Sequence, residues 1–265
     1  MALATPISWA TVVFPVCLGL LAQAHQTLAD PPAAETGGGA AYAQRSFLAA
    51  QARSRDAPGE ATAAWKFARA CFDLADFATN KTQRASLAEQ GITACQQALA
   101  RETNSAPAHY YLGMNLGQLA QTKGLAALKL VKQMQREFIR AHDLDERFDW
   151  AGPDRSLGLL YRDAPTLGSI GSRSKARAHL KRAVELAPQY PENRLNLIEA
   201  YLQWGEPKSA QRELPSLLQV WPGARTNLVG AAWAASWADW EARLKKLREK
   251  VEPPPKTLGA PREKS

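Results

Sequence analysis

The stretch KRAVELAPQYPENRLNLIEAYLQWGE, residues 181–206, holds the end of one helix, a joint and the start of another. Ala183, Val184 and Leu186 form an apolar pattern that breaks at Ala187-Pro188, since proline cannot continue a helix. Tyr190-Pro191 is an extended pair, because a residue before proline is held out of the helical region. Leu197 and Tyr201 then stand four residues apart on one helix face, and Ile198 widens the stripe. The chain is therefore expected to alternate short amphipathic helices with tight joints.

The pattern recurs. Pro188 and Pro222 lie 34 residues apart. Between them Leu197, Tyr201, Gly205, Ala210, Leu214 and Leu217 occupy the large and small positions of a tetratricopeptide repeat. Gly205 permits the turn between paired helices, and Pro207 opens the second helix where no amide bond is lost. Ala210 lets that helix approach closely, and Pro222 is expected to stop it. Arg194 stands where the consensus prefers an aromatic. Upstream, APAHYYLGMNLGQLAQTKG and GPDRSLGLLY supply earlier first helices, and a further pair is expected at about 60–79 and 82–101. Equivalent second-helix anchors, Ala98, Ala141, Ala183 and Leu217, are spaced by 43, 42 and 34 residues, so only the last interval has the standard period. After Pro222, Trp233, Trp237 and Trp240 form an aromatic stripe expected to cover the open end. The reading is all-α: a tetratricopeptide-like right-handed superhelix of antiparallel helix pairs over 60–224, with a capping helix over 225–250. Each hairpin hides only one apolar face, so the next must stack on it.

Composition agrees. Alanine, leucine, glutamine and arginine abound while β-branched runs are scarce, which favours helix over sheet. The net charge of +8 permits an anionic partner without requiring one. Residues 7–24 carry no charge, and Ala22-Gln23-Ala24 is a small-x-small pattern, so 1–24 reads as a signal peptide, with cleavage as late as 29 the other option. Residues 25–59 read as a flexible lead-in with one short helix near 40–54, and 251–265 as a disordered basic tail. Export gives Cys71 and Cys95 two readings, a disulfide between neighbouring helices or two small buried thiols.

A scan for chemistry finds no phosphate-cradling glycine loop, no paired-histidine helix and no Cys-x-x-Cys. His25, His109, His142 and His179 are scattered, so no metal site, no cofactor and no catalytic residue is expected. Ser172-Arg173-Ser174-Lys175 copies the Ser-x-x-Lys of penicillin-binding enzymes, whose other motifs are missing; Ser172 reads as a helix cap. Lys129, Lys132, Arg136 and Arg140 share one helix face, the wet side of an amphipathic helix or a surface for an acidic partner. Asp149, Trp150, Asp154, Arg155 and Arg162 crowd around a long joint. Arg155 falls on the face that lines the groove of such solenoids, or else pairs internally with Asp149 or Asp154. Tyr110, Arg155 and Arg162 are the expected groove contacts.

Residues 60–245 resemble exported bacterial tetratricopeptide proteins. GPDRSLGLLYRDAP, with GSRSKARAHLKRAVELAPQYPENRL after it, is similar to the T component associated with TRAP transporters. The resemblance rests on the Gly-Pro-x-Arg helix start, the Gly-Ser loop and the Pro-Glu-Asn joint. It implies a periplasmic or secreted, non-enzymatic scaffold that binds a protein or peptide, forms a homo-oligomer and engages a solute-binding or transport component. A pocket under the 163–172 joint, holding a small solute for a transporter, is the alternative. Nucleic acid is disfavoured by the leader and the lack of interleaved aromatics, and membrane association would come only through the N-terminus.

Overall fold

The structure, a computed structural model, describes residues 38–124 and 126–251. The expected leader and the tail from 252 onward lie outside the described residues. Among the described residues ten α-helices follow in order: α1 (Gly39–Asp56), α2 (Ala61–Ala75), α3 (Lys81–Arg101), α4 (Ala106–Ala120), α5 (Ala127–Leu144), α6 (Phe148–Asp163), α7 (Arg173–Leu186), α8 (Pro191–Gln203), α9 (Pro207–Asn227) and α10 (Ala234–Val251). A 3-10 turn, Ala231–Trp233, precedes α10. There is no strand among the described residues, and no helix there is long and apolar enough to cross a membrane.

Four hairpins pair α2 with α3, α4 with α5, α6 with α7 and α8 with α9. The even-numbered helices also touch their successors, α2 with α4, α4 with α6, α6 with α8 and α8 with α10. No comparable contact joins α3 with α5, α5 with α7 or α7 with α9 among the described residues. The even helices thus form a close inner layer and the odd ones a splayed outer layer, which is how a stack of hairpins curves. The fold is that of a tetratricopeptide-like solenoid, as the repeat pattern requires.

The caps follow from the sequence. Asn80 and Ser172 accept from the backbone N–H three residues on, and Pro191 and Pro207 occupy first-turn positions. Trp233, Trp237 and Trp240 are buried over the last hairpin; Trp237 and Trp240 lie 5.0 Å apart edge to face, and Trp240 meets Tyr190 at 5.4 Å.

One expectation is corrected and another is extended. Pro222 does not stop its helix: α9 carries both Pro215 and Pro222 on to Asn227. Both prolines are exposed, so water can meet the carbonyls they leave unbonded, and Thr226 Oγ1 donates to the Pro222 carbonyl at 3.1 Å. The short helix expected near 40–54 is present and longer, as the 18-residue α1. Ala43 and Phe47 bury it against Ala70, Cys71, Leu74, Ala75 and Leu87, with Phe47 at 5.5 Å from Phe67. At its start, a Cβ on Gly39 would meet the Cβ of Ala235 at 2.8 Å, so the first helix touches the beginning of the last. An alanine-rich helix needs few large anchors when its partner surface is already made of small residues.

Gly113 and Gly158 mark where paired helices come closest. A Cβ at Gly113 would lie 2.5 Å from Phe138, and one at Gly158 would lie 2.7 Å from Leu180, a buried core residue of the facing helix. Gly158→Ala is expected to destabilise the fold by about 1–3 kcal/mol in urea denaturation through overpacking, despite alanine's better helix propensity. Gly124→Ala, with open space around the position, should stay within about 0.5 kcal/mol of the parent.

Candidate functional site

The start of α6 has a backbone unlike any other in the described chain. Asp149, Trp150 and Ala151 have φ values of 53°, 55° and 61°, a full left-handed turn built from three residues that are not glycine. Each such residue costs about 1–2 kcal/mol in that region. The right-handed helix begins only after Gly152-Pro153, the start the sequence suggested.

Arg155 holds this turn. Its side chain is wholly buried, and Nη1 donates to the carbonyls of Asp149 and Trp150, both at 3.1 Å, and to Asn193 Oδ1 at 3.2 Å. Nη2 donates to Asp149 Oδ2 at 2.6 Å. Asn193, from α8, donates from Nδ2 to the same Trp150 carbonyl at 3.0 Å. Tyr110, from α4, donates its hydroxyl to Asp149 Oδ2 at 2.9 Å. Gly152 is obligatory here, since a Cβ would come within 2.8 Å of the Tyr110 ring and hydroxyl. Burial opposes the charge on Arg155, but Tyr110, Asp149, Glu192 and Tyr190 outweigh it and raise its value.

Of the expected groove residues, the structure brings Tyr110 and Arg155 together but leaves neither facing a groove: both are 0% exposed, with their polar atoms turned on Asp149. Arg162 is half-buried and pairs in two-pronged fashion with the adjacent Asp163, at 2.6 and 2.9 Å. Cys71 and Cys95, on the packed pair α2 and α3, are wholly buried free thiols; burial pushes Cys71 up to about 12 and raises Cys95 well above its ordinary range. Lys129, Lys132, Arg136 and Arg140 are exposed on α5. The 164–172 joint folds back on α6, with the Ser172 N–H donating to the Tyr161 carbonyl at 2.9 Å.

The inner layer carries carboxyl groups that are only partly covered. Asp73 and Asp76 on α2, Glu199 on α8 and Asp239 on α10 are half-buried, and Glu192 on α8 is buried beside them. Asp76 accepts from Gln118 of α4, which in turn accepts from Arg84 of α3. Arg243 of α10 donates to both oxygens of Glu199 at 2.8 Å and to Asp239 at 3.2 Å. Burial pushes Asp73 up to about 6, Asp76 to about 8 and Glu192 to about 7. The carboxylates also raise one another: Asp149 acts on Asp73, while Asp73 and Glu192 act on Asp76. Residues more than a hundred positions apart in the chain thus share one field. Sequence spacing gave no sign of it, because the acids are spread over helices far apart in the chain and only the stacking of even helices gathers them.

A family match and one solved structure agree with this architecture. A tetratricopeptide-repeat family model matches residues 171–220, and the model for Regulator of microtubule dynamics protein 1-3 matches residues 34–150. TTC0263, a thermophilic TPR protein in Thermus thermophilus, superposes with a TM-score of 0.59 at 19% identity, over 78% of this chain and 91% of that one. MamA gives 0.47 at 17% identity over 68% and 89% of the two chains. YrrB, a TPR protein with an unusual peptide-binding site, gives 0.42 at 15% over 77% and 91%. No curated protein sequence matches. The fold is tetratricopeptide-like, and residues 171–220 match the repeat itself.

Replacing Arg155 by methionine would take the guanidinium at 2.6 Å away from buried Asp149 and this donor away from the Asp149 carbonyl. Arg155→Met is expected to lose about 3–5 kcal/mol in urea denaturation. The raised carboxyls give a second expectation. Asp73, Asp76 and Glu192 bind their protons more tightly folded than unfolded. The stability they contribute is present in full below the ordinary carboxylate value and is lost as pH rises through the folded values, a window from 3.8 to about 8 for Asp76. Denaturation midpoints should fall between about pH 5 and about pH 8, and Asp76→Asn should flatten the upper part of that fall.

Proposed function

We propose that this chain is a non-enzymatic scaffold of the periplasm or the secreted fraction, which holds a protein or peptide partner against the inner helical layer. The observation that carries this reading is the gathering of Asp73, Asp76, Glu192, Glu199 and Asp239 from three helices onto that layer, in a chain whose net charge is +8. Such a face suits a partner segment bearing lysine, arginine or a free amino terminus, whose charge lowers the cost of ionising the raised carboxyls. TPR folds bind proteins and peptides, which supports the scaffold. The uncharged stretch 7–24 and the T-component resemblance support export and a solute-binding or transport component as the partner.

Crosslinking with mass spectrometry in the native cell tests both parts. A captured exported protein with crosslinks to α2, α8 or α10 is the expected result, and its yield should fall several-fold when Asp73 and Asp76 are both replaced by asparagine. Capture only of cytosolic proteins would overturn the location. Unchanged capture by the double variant would overturn the surface. A shift in melting temperature of the dialysed protein with low-molecular-weight extract, without protein capture, would favour the solute-binding alternative.

A further inference from the structure

On the outer side of α6 a second polar cluster has no part in the reading above. Asp154 is 1% exposed, and each of its oxygens meets a histidine: His142 Nδ1 lies 3.0 Å from Oδ2, and His179 Nδ1 lies 2.7 Å from Oδ1. His142 stands near the end of α5, His179 in α7, and their rings meet edge to face at 6.3 Å. Glu146 follows His142 by four residues, just past the helix end. One donor atom from each of His142, Glu146 and Asp154 lies within 4.8 Å of the others. Two imidazoles, a buried carboxylate and a half-buried one are thus drawn from three successive elements to one point.

We propose that His142, Glu146 and Asp154 form a binding site for a divalent cation of the zinc class, with His179 as a positioning residue that holds Asp154 in place. The donor set is nitrogen and carboxylate oxygen, which suits zinc and its neighbours better than calcium or magnesium, which take oxygen alone. Zinc holds such donors at about 2.0–2.2 Å, so the three groups need to close on the ion without any helix changing place. His142 gives a ring lone pair when its proton sits on the other nitrogen. His179, hydrogen-bonded to the second oxygen of Asp154, acts as the outer partner that orients a ligating carboxylate. Glu146 is paired with Arg182 at 2.9 Å, but that pair is exposed on both sides, at 44% and 37% of the side chains. Water screens so exposed a pair, so little opposes its release to a cation. The histidine side chains are 30% and 27% exposed, which leaves the ion a way in. His109, by contrast, has both ring nitrogens engaged, one with Glu137 at 2.7 Å and the other with the Thr103 carbonyl at 3.0 Å.

The consequence is mechanical. The outer helices α5 and α7 both touch α6 and make no comparable contact with each other among the described residues. An ion at Asp154 would fasten α5 to α6 and, through His179, to α7. It would stiffen the curvature of the solenoid at its midpoint.

The test uses the full chain stripped with EDTA. Titration with zinc chloride by calorimetry, and with cobalt chloride by visible absorption, should show one saturable equivalent with d–d bands of a nitrogen- and oxygen-ligated ion. His142→Ala and Glu146→Gln should each abolish that equivalent. His179→Ala should weaken it by about 10- to 100-fold, and His109→Ala should leave it intact. No saturable binding, or one equivalent that survives both His142→Ala and Glu146→Gln, would overturn the proposal. Both replaced side chains are partly exposed, and if one variant misfolds by circular dichroism the other decides.

Discussion

One buried guanidinium organises the centre of this molecule. Arg155 reaches from the second turn of α6 back to the left-handed turn at 149–151, and forward to Asn193 of α8. Asp149, thus fixed, receives the hydroxyl of Tyr110 from α4. Three successive inner helices are joined through two side chains. Three left-handed residues in series would not persist alone, at about 1–2 kcal/mol each. They persist because their carbonyls meet charged or amide donors in a place without water, where an unpaired carbonyl would cost still more. The strain and the ion pair therefore explain each other. Without the turn, the Asp149 and Trp150 carbonyls would not point at Arg155, and without Arg155 the turn would relax to an ordinary helix start.

Curvature separates two chemistries. The close inner layer draws acids from distant repeats together and desolvates them, so their protons are held above the ordinary carboxylate range. The splayed outer layer leaves the basic side chains of α5 in water. A chain with a net positive charge thereby presents an inner face where carboxylates influence one another across helices. Geometry rather than composition decides which sign a partner meets.

Much of the architecture was legible because it follows from local chemistry. Pro188, Pro191, Gly205 and Pro207 punctuate the last hairpin wherever they occur, and the apolar spacing of Leu197, Tyr201, Leu214 and Leu217 needs only a helix to become a face. The repeat spacing also survived unequal loops, since stacking tolerates extra residues at the joints. Pro222 misled because a helix interior tolerates proline when the unbonded carbonyl faces solvent. The helix near 40–54 was legible, but its full length and packing were not, because its anchors, Ala43 and Phe47, are few. Arg155 was read from its position in the repeat as a groove residue. The rival pairing with Asp149 is the one in the structure, and only the left-handed turn, invisible in residue spacing, turns the side chain inward. The histidines looked scattered for a related reason: His142, Asp154 and His179 lie on three different helices, and no window short enough to show a motif contains them.

Asp149 and Asp154 lie five residues apart at the start of one helix, yet serve opposite sides of the solenoid. Asp149 faces Tyr110 and Arg155 within the inner layer, while Asp154 faces His142 and His179 in the outer one. Even an ordinary helix would set the two carboxylates roughly 140° apart about the axis, at about 100° per residue. What the left-handed turn adds is a pair of backbone carbonyls turned on Arg155 beside the Asp149 carboxylate. Any force that pulls α5 or α7 on Asp154 acts on α6, and α6 carries the Arg155 clamp.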